Sequence, residues 1–472
     1  MYLTATTPLA LFLCLAILVS GPGRGIIWVF AALPFGTAAA VNFSGLGSVF
    51  VAEIAMIALG VSATLAGLKG AVSSQLLWSS RGSLPLLLLL TTAAMSAAFL
   101  PRVFAGATEV FTLVRQADGA TLALRPLSAS GSNLGQLIRF CLAGLAFFVA
   151  LWAIAVSGRH ADHVRHGMIA ATLLHIALSI VDLATPYLNA SLLSPIRNAY
   201  VAVLDDQLLL GVRRLIAGFP EPSAFAIFTI ALYGFWLRFW FTAPRPLLPG
   251  LLVLLLAALL IRSTSSAAYI GIALYTALFF LWQFRAVFWR RGAMLFYLAA
   301  LFCLPALSGA VALIYAFVPS VSALFDVIIL EKLSSASGTQ RMSWNLQALQ
   351  NFEDTFGFGA GIGSLRASGW PFAVLGSMGL FGLALYLWFC RDVLMRSPEN
   401  LGIAQNTWET ASALKSSCAA LLLLSCTILP QPNLGLTFFL IAGSAVGLLT
   451  VVQRPKNRLS FSTTKRSMQM SL

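Results

Sequence analysis

Apolar residues run through this chain in blocks of roughly 16 to 25, the length a helix needs to cross hydrocarbon, and charged side chains are pushed into the gaps between blocks. Nothing else in the sequence limits the fold as strongly. Of the 472 residues, 59% are hydrophobic and only 9% charged, with a mean hydropathy of +0.90. A soluble domain carries about 25% charge. No soluble core absorbs so much apolar surface, so lipid must be the solvent for most of the chain. The first block, Pro8 to Ser20, reads as a retained helix, because no basic segment precedes it and further blocks follow.

The spacing predicts an all-α, polytopic transmembrane bundle of about 12–14 spans. Thirteen are placed near residues 7–20, 26–41, 47–68, 84–100, 134–157, 167–187, 222–241, 247–262, 265–284, 293–318, 370–390, 412–429 and 434–452. Leu247 to Phe284 is too long for one span, and Arg262-Ser-Thr-Ser-Ser266 supplies the turn that divides it. Residues 1–452 form one helical membrane domain without internal repeats, and 453–472 a basic tail. The six cysteines (Cys14, Cys141, Cys303, Cys390, Cys418, Cys426) fall inside apolar blocks without CxxC spacing and read as small packing residues.

A net charge of +14 would point to nucleic acid in a soluble protein; here it divides between two membrane faces, and no nucleic-acid partner is expected. The basic tail belongs inside by the positive-inside rule. The alternate connections then carry Arg24, Lys69, Arg81, Arg159, Arg165, Arg238, Arg245, Arg285, Arg290, Arg291, Arg391, Arg396 and Lys415, also inside. The long loops, 101–133, 188–221 and 319–369, all fall on the outer face. Loops of that length in a helix bundle usually carry function.

Four charges sit in the outer third of predicted spans: Glu53, Arg139, Asp182 and Arg262. They either line a polar cavity that opens outward or snorkel to the interface. His175 lies mid-span and reads as a hydrogen-bonded packing residue, while His160, His163 and His166 fall in a short inner loop. No HExxH or Cys/His cluster suggests a zinc site.

The second long loop ends in Gly211-Val-Arg-Arg-Leu-Ile-Ala-Gly-Phe-Pro-Glu-Pro-Ser223. Arg213 and Arg214 beside a helix start make a cationic site suited to phosphate. Alternatively, Glu221 and Ser223 cap the helix while the arginines pair with Asp205 and Asp206. In the third loop, Met342, Leu346, Leu349 and Phe352 follow helical spacing, predicting an amphipathic helix capped by Thr339, with Arg341 and Asn345 on its polar side. The glycines of Phe356-Gly-Phe-Gly-Ala-Gly-Ile-Gly-Ser-Leu-Arg366 fit neither a dinucleotide fold nor a P-loop and instead suggest tight turns or close approach to a ligand. Guanidinium groups at a membrane edge suit a diphosphate that arrives on a lipid, because their fork meets phosphate oxygens bidentately and stays charged.

Three stretches together resemble the O-antigen polymerase and O-antigen ligase superfamily: Arg-Arg…Glu-Pro-Ser, Arg262-Ser-Thr-Ser-Ser266, and Gly-Thr-Gln-Arg341…Trp344…Gly359-Ala-Gly-Ile-Gly-Ser364. The segment Arg125-Pro-Leu-Ser-Ala-Ser-Gly-Ser-Asn133-Leu-Gly-Gln136 is similar to one in bacterial exopolysaccharide polymerases of that group, and the resemblance covers about residues 100 to 385. It implies a C-type glycosyltransferase-like bundle in the bacterial inner membrane. Its active site would face the periplasm, its C-terminus would be cytoplasmic, and it would take glycans from undecaprenyl diphosphate without a cofactor or metal. Donor and acceptor would both be lipid-linked glycans, and a chain-length regulator and a flippase are candidate partners.

Carried onto this sequence, Arg213 or Arg214, Arg262 and Arg341 hold the diphosphate and Arg366 assists. Glu221, or else Asp182 or Glu53, takes the acceptor proton. Ser265, Arg139, Asn133, Gln136, Trp344 and Asp182 are candidates for binding substrate. The ligases carry a functional His in the large outer loop; residues 319–369 contain none, which favours the polymerase. Transfer to another acceptor, or transport of a lipid-linked oligosaccharide, are the alternatives.

Overall fold

The structure is a computed structural model that describes residues 1–43, 47–69, 75–116, 119–157, 160–188, 191–204, 207–209, 211–288, 336–395 and 404–451, together with 317, 322 and 326. Its helices are α1 (Thr7–Ala32), α2 (Val51–Lys69), α3 (Gln75–Ser79), α4 (Ser83–Val103), α5 (Gly131–Val156), α6 (His160–Leu188), α7 (Pro222–Thr242), α8 (Leu247–Arg262), α9 (Ser266–Phe288), α10 (Ala336–Asp354), α11 (Trp370–Leu394), α12 (Gln405–Ile428) and α13 (Gly435–Val451). Among the described residues, nine helices are long and apolar enough to cross a membrane, while α8 and α13 are shorter apolar helices. This is a multi-pass membrane bundle. The expected span at 293–318, Cys303 and the basic tail lie outside the described residues.

Large apolar side chains such as Leu11, Leu15, Leu251 and Leu254 face outward, as helices solvated by lipid require. Between helices, small residues let backbones meet. A Cβ on Gly443 of α13 would lie 2.2 Å from the Phe147 carbonyl oxygen of α5, and one on Gly234 of α7 would lie 2.7 Å from Ala420 of α12.

Helix α1 contains a break at Gly21, with φ 74° and ψ 174°, followed by Pro22. The Phe12 and Trp28 rings lie 5.8 Å apart, whereas a straight helix would separate those positions by about 24 Å. The two arms therefore run antiparallel as a hairpin, which matches two expected helices rather than one. The second arm ends at Ala32, short of the expected 41, because the chain becomes extended. Strands β1 (Tyr2–Leu3), β2 (Ala39–Phe43) and β3 (Gly47–Phe50) make a small antiparallel sheet.

Two further ribbons, β4 (Glu109–Gln116) with β5 (Gly119–Pro126) and β6 (Leu208–Leu209) with β7 (Val212–Arg213), sit at the same end of the bundle. Hydropathy does not register such strands: β4 to β7 lie between the apolar blocks, and β2 and β3 take up the ends of the blocks expected at 26–41 and 47–68. Three local corrections follow. Helix α6 begins at His160, so His160, His163 and His166 occupy its first turns and not a loop. Helix α12 begins at Gln405, which puts Lys415 inside it. Thr339 lies inside α10, whose first residue is Ala336, and so does not cap it.

Helix α10 docks through its small and polar side chains. Ala348 and Asn351 are buried, and Asn345 Oδ1 accepts the Ser368 N–H at 2.7 Å, whereas Met342 and Leu346 are exposed. Asn351 donates to Thr108 Oγ1 at 2.8 Å and to the Glu109 carbonyl, tying α10 to β4.

The glycine-rich segment after α10 does approach a backbone closely, but that backbone is α11. Helix α11 is broken at Gly379 (φ 66°, ψ −164°), and the segment fills the break. Ala360 N–H donates to the Gly376 carbonyl, Gly361 N–H to Ser377, and Leu380 N–H to Gly357, at 2.6, 3.0 and 3.1 Å. These bonds replace the helical ladder that Gly379 interrupts, so the loop is part of the core. A Cβ at position 379 would fall 2.0 Å from the Gly357 oxygen. Gly379→Ala is therefore expected to cost at least about 2 kcal/mol from overlap and positive-φ strain combined. Thermal unfolding of the detergent-solubilised protein checks this, and an unchanged midpoint would contradict the docking.

Candidate functional site

At the loop-rich end, the 191–221 segment is fixed by Asp182, near the end of α6. Its side chain is 1% exposed, and Oδ1 pairs with Arg197 Nη2 at 2.7 Å and Arg213 Nη2 at 3.3 Å. Oδ2 accepts the backbone N–H groups of Ile216 and Ala217 at 3.0 and 2.8 Å. Arg197 also donates through Nε and Nη2 to the Ala217 carbonyl. Ala217 is held at φ 46°, a conformation that a non-glycine residue adopts only when its surroundings dictate it. Arg197 was not among the residues singled out from sequence.

With Arg213 committed to Asp182, its neighbour Arg214 points elsewhere. Arg214 Nη1 donates to Gln207 Oε1 at 3.0 Å and Nη2 to the Thr264 carbonyl at 3.2 Å. Thr264 presents that carbonyl because the α8–α9 turn bends through φ 50° at this residue. Arg262 Nη1 donates to the Arg213 carbonyl at 2.9 Å, and Tyr269 faces both Arg214 and Arg262. Ser265 is buried within the turn.

The other half of the site comes from α10 and the segment leading to α11. Arg366 lies over the Trp344 ring at 5.4 Å, a cation–π contact that orients the guanidinium, and its N–H is anchored to the Phe111 carbonyl of β4. Burial pushes the guanidinium of Arg366 below its ordinary range, opposed by Glu221 and reinforced by Arg341. Arg214 is lowered in the same way, first by burial, with Glu221 opposing, Arg341 reinforcing and Tyr269 opposing. Arg214 and Arg366 thus each feel both the Glu221 carboxylate and the Arg341 guanidinium. Among these four groups, three are cationic and one is a carboxylate, so positive charge is in surplus.

Glu221 occupies the N-cap position of α7 and accepts from the Ser223 hydroxyl. The Asp205 and Asp206 side chains proposed as alternative partners lie outside the described residues. Among the described residues, the Nε atoms of Arg214 and Arg366 are buried and have no hydrogen-bond partner. An unsatisfied buried N–H costs about 1–3 kcal/mol, and two in one cationic cluster fit an anionic ligand.

Beside Arg366 is a cavity of about 310 Å³ lined by Ser130, Ser132, Gln136, Ser364 and Gln431. A second cavity of about 330 Å³ is lined by Glu53, Arg139, Gln431, Asn433 and several phenylalanines. Gln431 lines both, and it was missed from sequence because Pro430-Gln-Pro-Asn433 reads only as a short connection.

The candidates therefore separate. Arg214, Arg262, Arg341, Arg366, Glu221 and Trp344 belong to one neighbourhood, and Gln136 borders the adjoining cavity. Arg139 lies in the second cavity with Glu53. Asn133 is buried and gives its amide to the Ile362 carbonyl and Ser364 Oγ at 2.7 and 2.8 Å, so it positions the glycine-rich segment. His175 is buried among Phe219, Phe225 and Phe228, with Nε2 2.9 Å from Thr229 Oγ1. Among the described residues, no three His, Cys, Asp or Glu side chains gather as metal ligands. No family model and no curated protein matches the chain.

Asp182→Ala should destabilise the protein by about 3–5 kcal/mol, since it removes the buried carboxylate that pairs with the buried Arg197 guanidinium and accepts the Ile216 and Ala217 N–H groups. Thermal unfolding and limited proteolysis of the 191–221 segment measure this. Wild-type resistance in both would show that the loop is held by something else.

Proposed function

We propose that this protein is a glycosyltransferase that polymerises undecaprenyl-diphosphate-linked oligosaccharide repeat units, working at the periplasmic face of a bacterial inner membrane. The observation that carries the reading is that Arg214 and Arg366 share the field of Glu221 and of a third guanidinium, Arg341, and that each keeps a buried Nε–H with no partner among the described residues. Positive charge in surplus suits a doubly charged diphosphate, and guanidinium forks suit its oxygens. The polar cavity beside Arg366 gives room for the attached sugar.

In the reaction, a hydroxyl oxygen of the acceptor glycan attacks the anomeric carbon of the donor. The bond from that carbon to the diphosphate oxygen breaks, and undecaprenyl diphosphate leaves with the electron pair. The hydroxyl proton passes to Glu221, the carboxylate within the cluster. Arg214, Arg341 and Arg366 stabilise the charge that develops on the leaving group, a task usually worth more than any other single contribution in such a transfer. Arg262 supports the cluster through the Arg213 carbonyl. The absence of His from residues 319–369 favours chain extension over ligation to a different acceptor.

Purified protein supplied with a lipid-linked repeat unit should yield polymer. Arg341→Ala and Arg366→Ala should each lower that rate by about 10²–10³-fold, the cost of removing one donor to a developing negative charge. Long polymer made at wild-type rate by both variants would sink the diphosphate assignment. Cells lacking the protein should accumulate single lipid-linked units facing outward; accumulation on the cytoplasmic leaflet would support a flippase instead.

A further inference from the structure

The cavity containing Glu53 and Arg139 takes no part in holding the diphosphate, yet it is built from many parts of the fold: the segment after α1, β3, α2, α5, α7, α12 and residues 429–437. Its volume of about 330 Å³ lies within the range of small-molecule sites, about 300–1,000 Å³. Phe35, Phe50, Phe219 and Phe228 give it flat apolar walls, and its polar groups are Glu53, Arg139, Gln431, Asn433 and Thr437. Such a mixture suits a saccharide, which presents C–H faces to aromatic rings and hydroxyl edges to carboxylates, guanidinium groups and amides. A prenyl chain would satisfy the walls and offer nothing to the carboxylate, guanidinium and amide groups among them.

The polar groups are positioned for a ligand. Glu53 Oε2 accepts the Phe50 N–H at 2.9 Å, and Oε1 has no hydrogen-bond partner among the described residues. Arg139 faces Glu53 electrostatically without forming a direct ion pair, lies over the Phe50 ring at 5.4 Å, and makes only a long contact, 3.5 Å, to the Ser48 carbonyl. Asn433 donates from Nδ2 to the Arg139 carbonyl and accepts the Gly435 N–H at Oδ1, which fixes the loop that carries Gln431. Gln431 is exposed and lines both this cavity and the one beside Arg366.

We infer that the cavity at Glu53 and Arg139 is a second saccharide subsite, which holds the sugar of the acceptor glycan while the cavity at Arg366 holds the donor sugar, with Gln431 where the two meet. The inference rests on the glycosyltransferase reading. A polymerase must hold two glycans end to end across the bond being formed, and two cavities that share Gln431, one of them lined by Arg366, meet that need. Glu53 Oε1 accepts a hydroxyl hydrogen, Arg139 and Gln431 bridge ring substituents, and the phenylalanines pack against the apolar sugar face.

The test measures binding of two probes to the purified full chain in lipid nanodiscs: the free repeat-unit oligosaccharide, cleaved from its lipid, and undecaprenyl diphosphate. Glu53→Gln preserves the shape of the side chain and its bond from Phe50, and Gln431→Ala changes an exposed position, so both variants should fold. Each is expected to weaken oligosaccharide binding at least about tenfold, the equivalent of one hydrogen bond to a charged or well-ordered partner, and to leave undecaprenyl diphosphate binding unchanged. Wild-type oligosaccharide affinity in both variants, or no oligosaccharide binding by the parent protein, overturns the subsite. Loss of undecaprenyl diphosphate binding in Glu53→Gln also overturns it, because the cavity would then serve the lipid chain. Saccharide binding that depends on Glu53 and Gln431, in a protein that never binds undecaprenyl diphosphate, would leave the subsite standing and remove the glycosyltransfer reading.

Discussion

Asp182 is the residue on which the loop-rich end depends. A carboxylate with a side chain 1% exposed is tolerated only if its charge is matched and its lone pairs are filled. Arg197 and Arg213 match the charge, and the N–H groups of Ile216 and Ala217 fill the remaining acceptor positions. Because these four groups come from one connection, satisfying Asp182 fixes the path of the chain between α6 and α7. Arg214 follows directly on Arg213, so its direction is set by that path. Glu221 is set at the start of α7 by the same segment.

The second constraint is the break in α11. A helix interrupted at Gly379 leaves backbone groups that must be satisfied in a region where water is scarce. The glycine-rich segment supplies them, and in doing so carries Arg366 to a fixed height above the bundle. Asn133 and Ser96 hold the same segment from α5 and α4, the latter through Ser96 Oγ accepting the Ile362 N–H at 3.2 Å. Arg214 and Arg366 therefore come from separate loops, each clamped to the helical core by hydrogen bonds that exclude large excursions. Such clamping is what a preorganised electrostatic site needs.

Hydropathy made the spans legible, including the two arms of the α1 hairpin, because lipid imposes length and composition so strongly. The small strands escaped it, since their residues alternate in loops where no periodic burial accumulates. The glycines of 357–363 carried a true signal of close backbone approach, but the absence of a Cβ says nothing about what approaches, and here it is α11, α4 and α5. Helix α10 shows the converse limit: its apolar spacing was visible, yet in a membrane protein an apolar face need not be the packed one. Met342 and Leu346 are exposed and Asn351 is buried. Asp182 was readable as a charge out of place, but its partner Arg197 sits in a loop without periodicity and gave no local cue.

The arginines divide into two kinds, and this division separates scaffold from site more sharply than their positions in sequence do. Arg197 gives the Asp182 carboxylate and the Ala217 carbonyl three bonds and is itself 4% exposed, so its hydrogen-bonding geometry is closed. Arg214 and Arg366 keep a buried Nε–H apiece with no partner. Left open, those groups would destabilise the fold by about 1–3 kcal/mol each, on top of the repulsion each feels from Arg341. A change as small as a shifted side-chain oxygen could have relieved them, as Asp182 relieves Arg197. That the loops are instead clamped so as to keep them unsatisfied is expected where an incoming anion completes the network. Both groups lie where Arg214, Arg341 and Arg366 outnumber the Glu221 carboxylate, and a polar cavity adjoins Arg366.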